Sequence, residues 1–186
     1  DDGIFYNPGG MNVSEIQNFL NAKVPLCDTN GTQTYAGTTR AAYGAAKGYP
    51  APYTCLKDYS QNTPGIAADQ YCTGAISAGT KSAAQIIYDV SQACSLSPKV
   101  LLITLQKEQS LITDDWPWSI QYTKATGMGC PDTPLSVSDD ANQNGCYDSY
   151  EGFFKQTYYA ARQFQKYAKQ PQLFNYRAGV SSFIQY

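Results

Sequence analysis

The 186-residue sequence predicts a mainly α-helical single domain, 1–186, with a loop-rich, disulfide-bonded N-terminal part at 1–79 and a helical core at 80–186. Three observations predict it. Apolar residues recur at helical spacing over 12–23, 80–94 and 150–169, and 97–112 is apolar enough for a central helix. Residues 25–79 carry many Gly, Pro, Thr, Asn and Tyr and no such period. Six cysteines, an even number without a CxxC pair, fit three disulfides in an oxidising compartment rather than zinc thiolates.

Residues 1–10, rich in Gly, Asn and Pro, read as an extended arm. Asn12 with Glu15 makes a capping-box start, Val13, Ile16, Phe19 and Leu20 form an apolar face, and Pro25 stops the helix. Residues 25–79 read as loops with short strands or turns, held by Cys27, Cys55 and Cys72. Asp28-Thr29-Asn30-Gly31 is a turn signal; the other reading is a fragment of a calcium loop lacking its remaining acidic ligands. A helix is expected over 80–94, with Ala83, Ala84, Ile86, Ile87 and Val90 inward, joined by a short connection to the next as an αα-hairpin. Ser97 is suited to cap that next helix and Pro98 to open it. Val100 to Leu105 is apolar almost all round and reads as buried. Phe153, Phe154, Tyr158, Ala161, Phe164 and Tyr167 line the apolar side of the helix over 150–169, which Pro171 ends. Of the many connectivities six cysteines allow, nearest-neighbour pairing is expected: Cys27–Cys55, Cys72–Cys94 and Cys130–Cys146.

A net charge of −2 and a pI near 5.0 argue against a nucleic-acid partner. No apolar run is long enough for a transmembrane helix. No signal peptide is visible, and a mature chain would have lost it; with the cysteines this gives a secreted or cell-surface expectation. Sixteen Tyr among few charges suit carbohydrate contact, and a protein interface equally well. No organic cofactor is expected.

The chain has no His, so a Ser-His-Asp triad, a Cys-His pair and a His-ligated zinc are excluded. Acid–base chemistry falls to carboxylates, Tyr or Lys. Of the three Glu, Glu15 belongs to a helix start and Glu151 to a loop described below, which leaves Glu108. Leu101, Leu105, Glu108 and Ile112 share one helical stripe. A carboxyl there is either desolvated, with a raised pKa fit for proton donation, or turned to solvent and a nearby Lys. Asp114 and Asp115 in the following loop are candidates for a second catalytic carboxylate. Beside them Trp116 and Trp118, the only Trp residues, suit sugar stacking; the other reading plugs them into the core.

The stretch from Pro98 through Leu101 and Leu102 to Glu108 and Ser110 resembles the catalytic helix of the lysozyme-like superfamily, in the branch of goose-type lysozymes and soluble lytic transglycosylases. That branch has Glu-Ser; here Gln109 intervenes. Gly127-Met128-Gly129-Cys130 resembles in position the branch's Gly-Leu-Met-Gln motif, without its Gln. Phe174-Asn175-Tyr176-Arg177-Ala178-Gly179 resembles its Ala-Tyr-Asn-Ala-Gly motif, with Asn and Tyr transposed and Arg inserted. The resemblance covers about residues 80–180. It implies a lysozyme-like helical core that cleaves the β-1,4 bond of peptidoglycan glycan strands, with Glu108 as general acid and Met128, Asn175 and Tyr176 joining the two Trp as substrate contacts. Lytic transglycosylases manage with the single Glu, closing an anhydro ring on the sugar; an ordinary hydrolase needs a second carboxylate. The whole chain also resembles an uncharacterised domain of secreted bacterial proteins, which implies no mechanism. Two readings of other classes stand beside the enzyme: a non-catalytic wall-binding module on the same fold, and an adhesin whose Tyr-rich 25–79 region meets a protein.

Residues 140–151 fit the EF-hand loop at every ligand position. Asp140, Asn142 and Asn144 stand at positions 1, 3 and 5, Gly145 at 6, Cys146 at 7 with its backbone carbonyl, Asp148 at 9 and Glu151 at 12. Tyr147 departs from the pattern at position 8, and no helix precedes the loop, so a half EF-hand with structural calcium is expected. The other reading makes Asp148 an N-cap and Glu151 the end of a capping box.

Overall fold

The computed structural model describes residues 2–177 and 180–183. Among them the chain is mostly helical, 44% helix and 8% strand, with seven α-helices and three disulfides. The cysteines pair as nearest neighbours, Cys27–Cys55, Cys72–Cys94 and Cys130–Cys146. No helix of the described residues is long and apolar enough to cross a membrane.

The N-terminal residues are not an extended arm. They form α1 (Asp2–Phe5) and a 3-10 turn at Pro8–Gly10 that Asn7 caps. The anchor is tertiary: Phe5 packs edge-on against Phe164 at 5.3 Å, and its carbonyl accepts the Ser97 N–H at 2.8 Å. Helix α2 (Val13–Lys23) closes its capping box in both directions, Glu15 N to Asn12 Oδ1 at 2.9 Å and Asn12 N to Glu15 Oε2 at 2.8 Å. It buries Ile16 and Leu20.

Strands β1 (Thr34–Tyr35) and β2 (Thr38–Thr39) form a hairpin whose turn residues, Ala36 and Gly37, both have positive φ, the geometry that suits strand twist. Helix α3 (Arg40–Ala46) follows, capped by Thr39. It stands in the region expected to be loops. Seven residues with Gly44 inside are too short for a period, and Gly44 is there because a Cβ would fall 2.1 Å from the Tyr53 hydroxyl.

Strands β3 (Ser60–Thr63) and β4 (Gly79–Ser82) pair antiparallel, in register from Ser60 with Ser82 to Thr63 with Gly79. The helix expected from Thr80 therefore starts later, as α4 (Ala83–Ala93) with Ser82 as its N-cap. Helix α5 (Pro98–Gln109) completes the αα-hairpin. Ser97 is buried and its side chain does not cap; Pro98 opens the helix as expected. Ser110, in the left-handed region at φ 58°, ends it, so Ile112 leaves the stripe expected of it while staying buried. Ile103 is 67% exposed, so α5 is buried on one side and not all round.

Helix α6 (Ser119–Thr123) precedes the long helix α7 (Phe153–Lys169). α7 begins three residues later than the pattern indicated, because Asp148–Tyr150 winds into a 3-10 turn. Phe153 and Phe154 are fully buried against the α4–α5 core. Two glutamines on α7 clamp its neighbours. Gln165 Nε2 donates to Cys94 O at 2.6 Å beside the hairpin turn, and Gln156 holds the turn after α6.

Candidate functional site

Glu108 lies in the last turn of α5, with 35% of its side chain exposed and Lys107 Nζ 2.9 Å from Oε1. The desolvated carboxyl expected from the stripe is not found in the free protein. The stripe runs off the core just where the helix ends, and its first members, Leu101 and Leu105, take the buried positions. The solvent-facing, Lys-paired reading describes this state.

Backbone of the second motif lies beside that carboxylate. A Cβ on Gly127, which has φ 70°, would stand 3.6 Å from Glu108 Oε2. The turn is held from α7. Gln156, wholly buried, accepts on Oε1 from Thr126 N and Met128 N, both at 3.1 Å, and donates from Nε2 to Met128 O at 2.6 Å and Tyr150 O at 2.9 Å. Met128 thus contributes both its backbone polar groups to this clamp. Sequence reasoning missed Gln156; its one signal was an amide on the apolar side of a helix, which must find partners if buried.

Beyond Ser110 the chain builds an aromatic cavity. Asp114 accepts from Trp116 N at 3.0 Å and from Gln121 Nε2 at 2.8 Å. Gln121 Nε2 also donates to Gln109 O at 2.8 Å, tying this loop to the residue after Glu108. Trp116 lies 5.2 Å from Tyr35, Trp118 lies 6.3 Å from Tyr43 and stacks on Tyr49 at 4.8 Å and 22°. Both Trp are half-buried. One side packs, as the core-plug reading expected, with Arg40 over Trp116 at 5.1 Å and Tyr53 edge-on to it. The other side opens on a cavity of about 270 Å³ lined by Tyr35, Tyr43, Asp114, Trp116, Trp118 and Gln121.

Asp115 serves the framework instead. Its Oδ1 is 3.0 Å from Arg40 Nη1, and its carbonyl accepts the Asp28 N–H at 2.7 Å. Arg40 Nη1 also reaches Asp28 Oδ2 at 3.4 Å. Burial pushes the Asp28 carboxyl up, but hydrogen bonds from Gln33, Thr32 and Arg40 outweigh it and hold the group below the usual carboxylate range. Asp28 is therefore a turn-forming residue with its own cation, the plainer of its two readings.

The third motif does not join the site. Phe174 packs on Tyr167 at 4.5 Å, and Tyr167, Phe174, Asn175 and Tyr176 line a separate cavity. They stand past the C-terminal end of α7, whereas Gly127 and Met128 are held near its start. Seventeen helical residues separate those ends, about 25 Å at 1.5 Å per residue. Asn175 and Tyr176 are thus not beside Glu108, contrary to their expected role as its substrate contacts. Ala178 and Gly179 of that motif lie outside the described residues.

The loop over 140–151 gathers its carboxylates. Oxygens of Asp140, Asp148 and Glu151 lie within 4.8 Å of one another, a partly buried acidic triad that could hold a metal ion. Asp140 accepts from Asn144 N at 2.9 Å and Gly145 N at 2.7 Å. The amides of Asn142 and Asn144 both donate to Glu151. The capping-box reading fails. α7 starts at Phe153 with Gly152 before it, and the Asp148 carboxylate receives Ala141 N at 3.3 Å rather than the N–H of Glu151. The donor set is oxygen-rich, and no salt bridge among the described residues reaches it, which fits a hard divalent cation.

No protein-family model, no curated protein and no solved structure matches the chain.

Proposed function

We propose that this chain is a secreted peptidoglycan-cleaving domain in which Glu108 protonates the leaving oxygen of a β-1,4 glycosidic bond. The observation that supports the reading is the Gly127 backbone beside Glu108 Oε2, with the aromatic cavity tied to the adjoining Gln109 carbonyl through Gln121. Gly127 presents bare backbone beside the carboxylate, so a glycan strand can approach closely there. In the free protein Glu108 is solvated and paired with Lys107. A strand lying over it removes water, which disfavours the charged form and favours a protonated acid. The proton goes to the leaving oxygen, the bond to the anomeric carbon breaks, and the resulting cation is captured by water or by a hydroxyl of the same sugar. Asp115 is committed to Arg40, and Asp114 lines the aromatic cavity, whose wall does not include Glu108. That favours the single-Glu, anhydro-forming route over hydrolysis. In a cell-wall zymogram, Glu108→Gln should lose about a hundredfold or more of the clearing activity. Mass spectrometry of the digest should find anhydro ends; reducing ends would restore the search for a second carboxylate.

The exposure of Glu108 and its Lys107 partner also favour a second reading, a wall-binding module without chemistry. Equal binding of wall fragments by wild type and Glu108→Gln, with no cutting by either, would establish it in place of the first.

The acidic loop, on this reading, holds a structural calcium through Asp140, Asp148 and Glu151, with Asn142, Asn144 and the Cys146 carbonyl completing the shell. The Cys130–Cys146 disulfide and the bond from Tyr147 N to Gly129 O at 2.9 Å connect that loop to the turn beside Glu108. Calcium therefore stiffens the site and does not switch it. Isothermal titration of the chelated protein should show one calcium site, absent in Glu151→Gln.

A further inference from the structure

Tyr35, Tyr43, Tyr53 and Tyr122 fall into two kinds. Tyr53 and Tyr122 are buried and use their hydroxyls on backbone carbonyls, Tyr53 to Arg40 O at 3.2 Å and Tyr122 to Thr54 O at 2.6 Å. Tyr35 and Tyr43 do neither. Tyr35 is 46% exposed, and neither hydroxyl bonds a described residue. The indole N–H groups of Trp116 and Trp118 are likewise without a described partner. Four aromatic rings thus surround one cavity with their polar atoms still available. Asp114 lies in the same wall, each oxygen accepting one hydrogen bond and so retaining capacity for another.

A cavity of aromatic faces, free donors and one carboxylate matches a pyranose ring. The apolar C–H face of the sugar stacks on a ring, and its hydroxyls donate to Asp114 and accept from the indoles and phenols. Its volume of about 270 Å³ suits one sugar unit, being below the roughly 300 Å³ at which pockets for drug-sized ligands begin. We infer that Tyr35 and Tyr43, brought by the β1–β2 hairpin and α3, complete with Trp116, Trp118 and Asp114 a subsite for one pyranose of the glycan strand. The inference rests on the glycan-cleaving reading and gives the loop-rich part its work. It supplies the wall of the cavity that the helical core lacks. Gln121, bonded to both Asp114 and Gln109 O, holds the subsite at a set distance from Glu108.

The chain's only two Trp stand in this cavity, so intrinsic tryptophan fluorescence reads it alone. The Glu108→Gln protein, which binds without cutting, is titrated with a β-1,4-linked N-acetylglucosamine tetrasaccharide. A saturable blue shift is expected, and Tyr35→Ala on that background should weaken binding about tenfold, the loss of one stacking contact. Tyr176→Ala, at the other end of α7, should leave the titration unchanged. Circular dichroism checks that Tyr35→Ala is folded. No emission change, or an unchanged affinity in Tyr35→Ala, overturns the subsite. Wall clearing by the wild type is measured alongside. Clearing without an emission change removes the subsite and keeps the Glu108 chemistry; an emission change without clearing does the reverse.

Discussion

Asp28 and Asp140 begin two loops of one design. Each is 5% exposed, and each loop is tied by a disulfide. Each Asp accepts the backbone N–H groups four and five residues on, Thr32 and Gln33 at 2.8 and 3.0 Å, Asn144 and Gly145 at 2.9 and 2.7 Å. They differ in what faces the carboxylate next. The first loop meets the guanidinium of Arg40. The second meets Asp148 and Glu151. Burying one negative charge is offset when a cation of the same chain supplies the balance, whereas three clustered carboxylates repel one another until a cation arrives from solution. The first loop is complete as folded. The second, on the calcium reading, is completed by its ligand.

Removing the internal charge should have the largest effect. Asp28→Ala leaves Arg40, whose Nε is already buried without a partner, facing only Asp115. A loss of about 3 to 5 kcal/mol is expected in urea unfolding. A loss under about 1 kcal/mol would make the two loops electrostatically alike and end the contrast.

Calcium comes next. At a hundredfold excess over its dissociation constant it should stabilise the protein by about 2.7 kcal/mol, seen as a raised Tm. Glu151→Gln should abolish that rise while leaving the chelated protein as stable or slightly more so, since one repelling charge is gone. A Tm indifferent to millimolar calcium after chelation removes the metal and leaves an acidic surface loop.

Acid tests the first loop in another way. The folded Asp28 carboxyl titrates below its unfolded value, so its contribution is present above about pH 3.9 and is lost as pH falls through the lower folded pKa. Asp69 behaves alike: burial raises it, and bonds from Cys72, Arg162 and Tyr71 outweigh that. Unfolding free energy measured from pH 5 down to pH 2 should fall for the wild type, and less steeply for Asp28→Asn. Equal slopes would mean that Asp28 is not held below its usual range.

The smallest stability effect should belong to Glu108. It is partly exposed, and Lys107 beside it is 78% exposed, so Glu108→Gln should change stability by no more than about 0.5 kcal/mol while removing activity. A large drop in Tm would mean that Glu108 holds the fold.

Much of this was legible locally. The capping box of Asn12 and Glu15, the opening of α5 at Pro98 and the ligand spacing over 140–151 depend on atoms a few residues apart, and a short segment encodes such contacts by itself. The disulfide pairs followed from sequence proximity. What chain-distant partners decide was not legible. Thr80 to Ser82 carry an acceptable helix start and become a strand because β3 is there to pair with them. The periodicity placed Glu108 on an apolar stripe, and only the end of α5 against its surroundings put the carboxylate in water beside Gly127. Gln156 finds its partners thirty residues away at Thr126, and Tyr35 meets Trp116 across the fold. The sequence by itself determined the helical class, the cysteine pairs and the spacing of the acidic loop, because each is written in short-range spacing. Tertiary structure alone decided which carboxylate is solvated, which is paired and which rings share a cavity, because burial and charge balance are sums over neighbours that the chain brings together only when folded.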